Sequence, residues 1–150
     1  MPPRARPRRG FTAIEMIIVV VIIGLMAAAV MPRISRIVAE QRIRSVQSAV
    51  AGDLELAFAM AMREHKPVTV TYNSTTKVLA IADRASSTVL KSRYLGQSQS
   101  ASVTGVTLNP AAGITIFPPG IASGSLTVTV TNGAYTRTIA VTRAGMVTKS

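Results

Sequence analysis

The sequence predicts an α+β protein in which one long N-terminal helix leads into and packs on a C-terminal antiparallel β-sheet domain. Three observations carry this. Between Phe11 and Met31 lie 21 residues whose only charge is Glu15. From Ile34 to Phe58 apolar residues recur at four-residue spacing, and from Pro67 onward the apolar period falls to two. These are the patterns of a membrane-length helix, an amphipathic helix and half-buried strands. The expected organisation is a leader over residues 1–10, a transmembrane helix over 11–31, its amphipathic continuation over 32–66 and a β domain over 67–150.

Composition sets the outer bounds. The 118 residues after Pro32 are enough for one modest core. The chain has 17 basic and 6 acidic residues, a net charge of +11. Arg4, Arg6, Arg8 and Arg9 precede the apolar run, and without residues 1–10 the balance is 13 basic to 6 acidic, or +7. Such a surface attracts nucleic acid or lipid headgroups, or simply keeps a domain soluble. The absence of cysteine excludes disulfides, a thiol nucleophile and thiolate metal sites, and leaves the redox compartment open.

The first ten residues, MPPRARPRRG, are basic and proline-rich. Positive charge beside an apolar span holds that flank in the cytoplasm, so the chain after Met31 is expected outside the inner membrane. A helix of 21 residues covers about 32 Å, enough for the bilayer core. Three readings compete for this region. One is a secretory signal cut near Ala27, Ala28 and Ala29, and another is a twin-arginine signal at Arg8-Arg9. The third is a leader cut between Gly10 and Phe11, with the helix retained. Glu15 separates them. A carboxylate near a membrane helix centre costs about 2.5–3.5 kcal/mol, somewhat less near the end. A disposable signal has no use for it, whereas a retained helix can pair it with a cation on another chain.

Gly10-Phe11-Thr12-Ala13-Ile14-Glu15 followed by an aliphatic run resembles the N-terminal signal of type IV pilins and type II secretion pseudopilins. The resemblance implies cleavage by prepilin peptidase after Gly10 and methylation of the new amine on Phe11. It implies that Glu15 pairs with the N-terminal amine of a neighbouring subunit, an interaction that a low-dielectric helical core would orient. Gly24 and Pro32 fall where pilin helices commonly carry a glycine and a helix-bending proline. Gly24 and Ala28 also form a small-xxx-small pair that lets helices approach closely. Pro32 lacks an N–H and should kink the helix or end it locally.

Beyond Pro32, Ile34, Val38, Val46, Val50, Leu54 and Phe58, joined by Ile43, Ala57 and Met62, form one helical face expected to bury against a sheet. Arg33, Arg36, Glu40, Arg42, Arg44, Asp53 and Glu55 mostly lie elsewhere, and Gly52 is a weak point. His65 and Lys66 close the helix, and Pro67 stops its return. Strict alternation in 68–72, a turn at 73–76 and a return over 77–82 predict a hairpin. Short strands are expected at 88–91, 103–108 and 114–117, a polar mobile loop at 96–102 and a turn-rich loop at 118–124. Asn132-Gly133 predicts a two-residue hairpin placing Val130 opposite Tyr135, Val128 opposite Arg137 and Leu126 opposite Ile139.

The C-terminal half, from Ile114-Thr115-Ile116-Phe117-Pro118-Pro119-Gly120 through the hairpin to Ala144-Gly145-Met146-Val147, resembles the GspH/FimT family of minor pseudopilins and minor pilins. That resemblance implies a type IV pilin-like fold and a subunit of a type II secretion pseudopilus. Its partners would be prepilin peptidase, other pseudopilins or pilins, inner-membrane lipid and secreted cargo. The alternative is a FimT-type minor pilin taking part in pilus assembly or DNA uptake through Arg137, Arg143 and Lys149. Met146 follows Gly145 where DNA-binding members carry arginine, which weakens that alternative.

The residue inventory argues against an enzyme. His65 is the one histidine, so no second histidine or cysteine can complete a metal set. Glu40, Asp53, Glu55, Glu64 and Asp83 are the acids outside the span, and Asp53 and Glu55, two apart, do not share a helix face. Phosphate-loop, dinucleotide and nucleophile-elbow motifs are absent. No catalytic residue, cofactor or metal is expected.

Overall fold

The computed structural model describes residues 10–96 and 103–150, the side chains of Val30 and Pro32 excepted. The expected leader, apart from Gly10, and nearly all of the polar loop expected at 96–102 lie outside the described residues. The chain divides into two units, Met1–Ile37 and Val38–Ser150.

One helix, α1 (Ala13–Glu64), contributes to both units and is 52 residues long. It runs through position 32 without a break, so the local end expected at Pro32 does not occur. A proline removes one donor and leaves the neighbouring turns their own hydrogen bonds. In the first unit the helix is apolar from Ala13 to Met31 apart from Glu15, and its described side chains are exposed. The buried stripe begins later than its sequence period. Ile34 and Val38 are 54% and 41% exposed, whereas Ile43, Val46, Val50, Leu54, Ala57 and Phe58 are buried. An apolar period marks a face able to be covered, and its apolar side chains are buried only from Ile43 onward. Met62, expected on the same face, is also exposed. At the C-terminal end His65 takes φ 52°, the left-handed conformation that closes many helices, and Pro67 follows.

The rest is antiparallel β structure: β1 (Val68–Asn73), β2 (Val78–Asp83), β3 (Val89–Tyr94), β4 (Gly105–Asn109), β5 (Ile114–Phe117), β6 (Ile121–Ala122), β7 (Leu126–Asn132), β8 (Tyr135–Val141) and β9 (Val147–Lys149). They form two sheets, in the orders β3-β2-β1-β5-β6 and β4-β7-β8-β9. β3 is longer than the strand expected at 88–91, and the loop expected at 118–124 contains the two-residue β6. Alternation puts Val68, Val70, Leu79, Ile81, Ile114 and Ile116 from the first sheet into one core. Leu126, Val128, Val130, Ile139 and Val141 enter it from the second, as does the α1 stripe. Gln47 of α1 donates from Nε2 to the carbonyls of Thr138 and Ser150, both at 2.9 Å, tying the chain end to the helix.

The last hairpin departs from its expected register by two residues. Asn132 pairs with Tyr135, Val130 with Arg137, Val128 with Ile139 and Leu126 with Val141. The loop is therefore Gly133-Ala134, with Gly133 at φ 58° in the position that requires it. This register sets buried Val128 and Leu126 against buried Ile139 and Val141 and moves Arg137 toward the sheet end. A shift of two keeps every side chain on its face, so apolar matching and the choice of turn residues distinguish the two registers.

Candidate functional site

The N-terminal region is built around Thr12. Gly10 and Phe11 precede α1 and are exposed, Phe11 at 81%. Thr12 caps the helix: its Oγ1 accepts the backbone N–H of Glu15 at 3.4 Å. Glu15 reciprocates, its Oε2 accepting the Thr12 backbone N–H at 2.8 Å and the Thr12 hydroxyl at 3.0 Å. This is a capping box, T-x-x-E, which satisfies donors a helix start otherwise leaves without partners. The T-x-x-E spacing of Thr12 and Glu15 is the sequence signal for this local partner, which stands beside the assembly role that the resemblance implies for Glu15. Both groups remain exposed to a further partner. Gly24 and Ala28 lie one turn apart and are exposed, and nothing stands within 4 Å of a Cβ placed on Gly24. Position 32 is helical.

Of the three basic residues named for nucleic-acid contact, Arg137 and Lys149 share one sheet face and Arg143 lies in a turn. The Arg137 guanidinium donates to Glu40 Oε1 at 3.2 Å, and the same oxygen takes Arg44 Nη2 at 2.6 Å. Register puts Arg137 and Lys149 on the face of Ile139, toward the core side of the sheet, with Lys149 exposed at its edge. Arg143 lies in the turn after β8, exposed, while its carbonyl accepts the Ala122 N–H at 2.8 Å. His65 sits exposed just past the helix end.

A charged cluster that sequence reading passed over lies inside the β domain. Asp53 is 3% exposed on α1. Arg93 of β3 bonds it through Nε to Oδ2 and through Nη2 to Oδ1, the second at 2.9 Å, and Lys91 Nζ approaches Oδ1 at 2.9 Å. Burial pushes the Asp53 carboxyl up, but hydrogen bonds and charge from Arg93 and Lys91 outweigh it and hold the pKa below the ordinary carboxylate value. The signal was its spacing: Asp53 is three residues after Val50 and four before Ala57, on the buried stripe itself. Asp83 is likewise buried, its Oδ1 accepting Ala85 N–H at 2.7 Å. Among the described residues no group of three acids or histidines is arranged to hold a metal ion.

Comparison with known proteins places this arrangement in a class. The type IV minor pilin FimU of Pseudomonas aeruginosa, strain PAO1, is similar in two crystal forms. TM-scores are 0.60 and 0.57 at 15% identity, covering 74% and 71% of this chain and 90% and 91% of the other. The minor pseudopilin EpsH from the Type 2 Secretion System of Vibrio cholerae is similar at TM-score 0.50 and 12% identity, over 71% of this chain and 94% of that one. No curated protein sequence matches the chain. The fold is thus type IV pilin-like, a long helix followed by antiparallel sheets. The family described as type II transport protein GspH matches residues 47–145, and the prokaryotic N-terminal methylation motif matches residues 5–31. The chain belongs to the GspH family, whose members are structural pilin or pseudopilin subunits, and is a minor pseudopilin or minor pilin. The methylation motif implies processing by prepilin peptidase, and the pilin-like neighbours imply other pilins or pseudopilins as partners. The apolar helix and the family suggest inner-membrane anchoring.

Proposed function

We infer that the protein is a minor pseudopilin, a structural subunit of the periplasmic pseudopilus of a type II secretion system. The carrying observation is the order of the two family matches, a methylation motif over 5–31 followed by a GspH domain over 47–145. In this reading residues 1–10 are a leader, cut between Gly10 and Phe11, and Phe11 is N-methylated. Residues 11–31 store the subunit in the inner membrane with the N-terminus cytoplasmic and the β domain periplasmic. The Gly24/Ala28 face and Glu15 direct helix association, with Pro32 shaping the helix, and the β domain contacts neighbours or secreted cargo. The protein acts by packing and carries out no catalysis of its own.

Glu15 serves twice in this account. Its carboxylate caps its own helix through Thr12, and on assembly it also receives the amine of an adjacent Phe11. The test is the mass of the mature N-terminus together with recovery in sheared filaments. A methylated Phe11 start and co-sedimentation with the filament are expected. A start near Val30 sinks the reading.

A second reading, a type IV minor pilin, is favoured by the likeness to FimU. Its DNA-binding form is weakened by the Arg137–Glu40 pair, which engages one of the three candidate cations. Phosphate contact by Arg143 and Lys149 would show as a gel shift that fades steeply with salt. No shift at low salt removes the DNA-binding form.

A further inference from the structure

The stretch of α1 just past the membrane-length run is cationic and exposed. Arg33 and Arg36 lie three residues apart on the helix, so their side chains are neighbours on its surface. Ile34 and Ile37, interleaved with them, are 54% and 58% exposed. From Phe11 to Ala39 the one acid is Glu15, so nothing in this stretch offsets the two charges. The first acid beyond it, Glu40, stands four residues after Arg36 but is bonded by Arg44 and Arg137 instead. Among the described residues neither Arg33 nor Arg36 is ion-paired.

Distance along the helix decides what these groups meet. Residues 11–31 cover about 32 Å and fill a hydrocarbon core of about 30 Å. The headgroup layer on the outer side is about 5–7 Å thick, which takes roughly the next five residues, 32–36. Arg33 and Arg36 both fall within it. Ile34 and Ile37 suit the boundary below, where an apolar side chain enters the acyl chains while a long arginine reaches back to phosphate. A guanidinium fork gives a phosphate two parallel hydrogen bonds. A zwitterionic headgroup brings its own cation to that phosphate, whereas an anionic one leaves the charge to the protein. We propose that Arg33 and Arg36 bind the phosphates of anionic phospholipids in the outer leaflet of the membrane that holds residues 11–31. The proposal rests on the membrane-anchored subunit argued above. In that reading the cut after Gly10 removes Arg4, Arg6, Arg8 and Arg9, so the side-chain cations flanking the span are then all on the outer side. Arg33 and Arg36 become the mature chain's side-chain hold on lipid phosphate.

The chain has no tryptophan, so Ile34→Trp sets a single indole between the two arginines. The full-length variant is reconstituted in vesicles of equal phosphatidylcholine and phosphatidylglycerol. One lipid or the other carries bromine on its acyl chains, which quenches the indole on contact. An arginine near an anionic membrane surface favours association roughly fivefold. Brominated phosphatidylglycerol is therefore expected to occupy the indole's surroundings at least about fivefold more than brominated phosphatidylcholine. Replacing both cations, Arg33→Gln with Arg36→Gln, keeps good helix formers in place and should bring the two lipids to equality. Equal quenching by both lipids with the arginines present, or a preference that survives the glutamine pair, overturns the headgroup site and leaves the anchored subunit standing. Quenching by neither lipid overturns both, because residue 34 then lies outside the bilayer.

Discussion

Two carboxylates, Glu15 and Asp53, sit where carboxylates are costly, and each has bonded partners. Glu15 holds a reciprocal cap with Thr12. Thr12→Val removes the hydroxyl but leaves the acid, at a cost of about 1 kcal/mol in the first helical turn. Filament recovery should fall little in Thr12→Val and almost completely in Glu15→Ala, with both still processed; equal losses would assign Glu15 to capping alone. Asp53 offsets two cations on the core face of β3. Breaking a buried pair costs about 3–5 kcal/mol. Lys91 and Arg93 are a third exposed, so Asp53→Ala should lower urea stability by about 2–3 kcal/mol. Asp53 and Asp83 both titrate below their ordinary values when folded. For Asp83 the Ala85 N–H is the largest cause and acts against burial, with Ser86 and Lys66 adding to it. Between folded and unfolded pKa values the unfolded chain binds more protons. Their stabilisation is therefore complete above about pH 4 and is lost as pH falls through the folded values. Urea midpoints should hold from pH 7 to 5 and drop below 4, less steeply in Asp53→Asn.

At the scale of elements, two glycines have opposite roles. Gly52 lies in mid-helix, exposed, with nothing within 4 Å of an added Cβ. Gly52→Ala should stabilise the domain by about 1 kcal/mol, from helix propensity. Gly113 has φ 78°, and a Cβ there would stand 1.9 Å from the Val70 carbonyl oxygen. Gly113→Ala should destabilise by more than about 2 kcal/mol, because the left-handed backbone and the neighbouring strand both oppose it. Thermal unfolding of the two variants checks sign and size together. The helix weak point was legible in the sequence. The Gly113 constraint was not, since it comes from β1 lying across from β5.

For the whole molecule, the position along α1 where burial begins decides which residues belong to the domain. Ile34→Ser should change domain stability by less than about 0.5 kcal/mol, whereas Ile43→Ala should cost about 2–5 kcal/mol. Urea unfolding of full-length protein in detergent separates them, and equal effects would return Ile34 to the core. The sequence by itself determined what depends on neighbours along the chain. The membrane-length helix, the change of period at Pro67, the β hairpins and the N-terminal methylation motif over residues 5–31 are all local in this sense. Division of the strands into two sheets, the two-residue shift of the last hairpin and the Asp53–Arg93–Lys91 cluster were decided by tertiary structure. Local pattern states which face of an element is apolar. Only packing against α1 states where that face is covered, and which charges can go inside because a partner from 40 residues away meets them there.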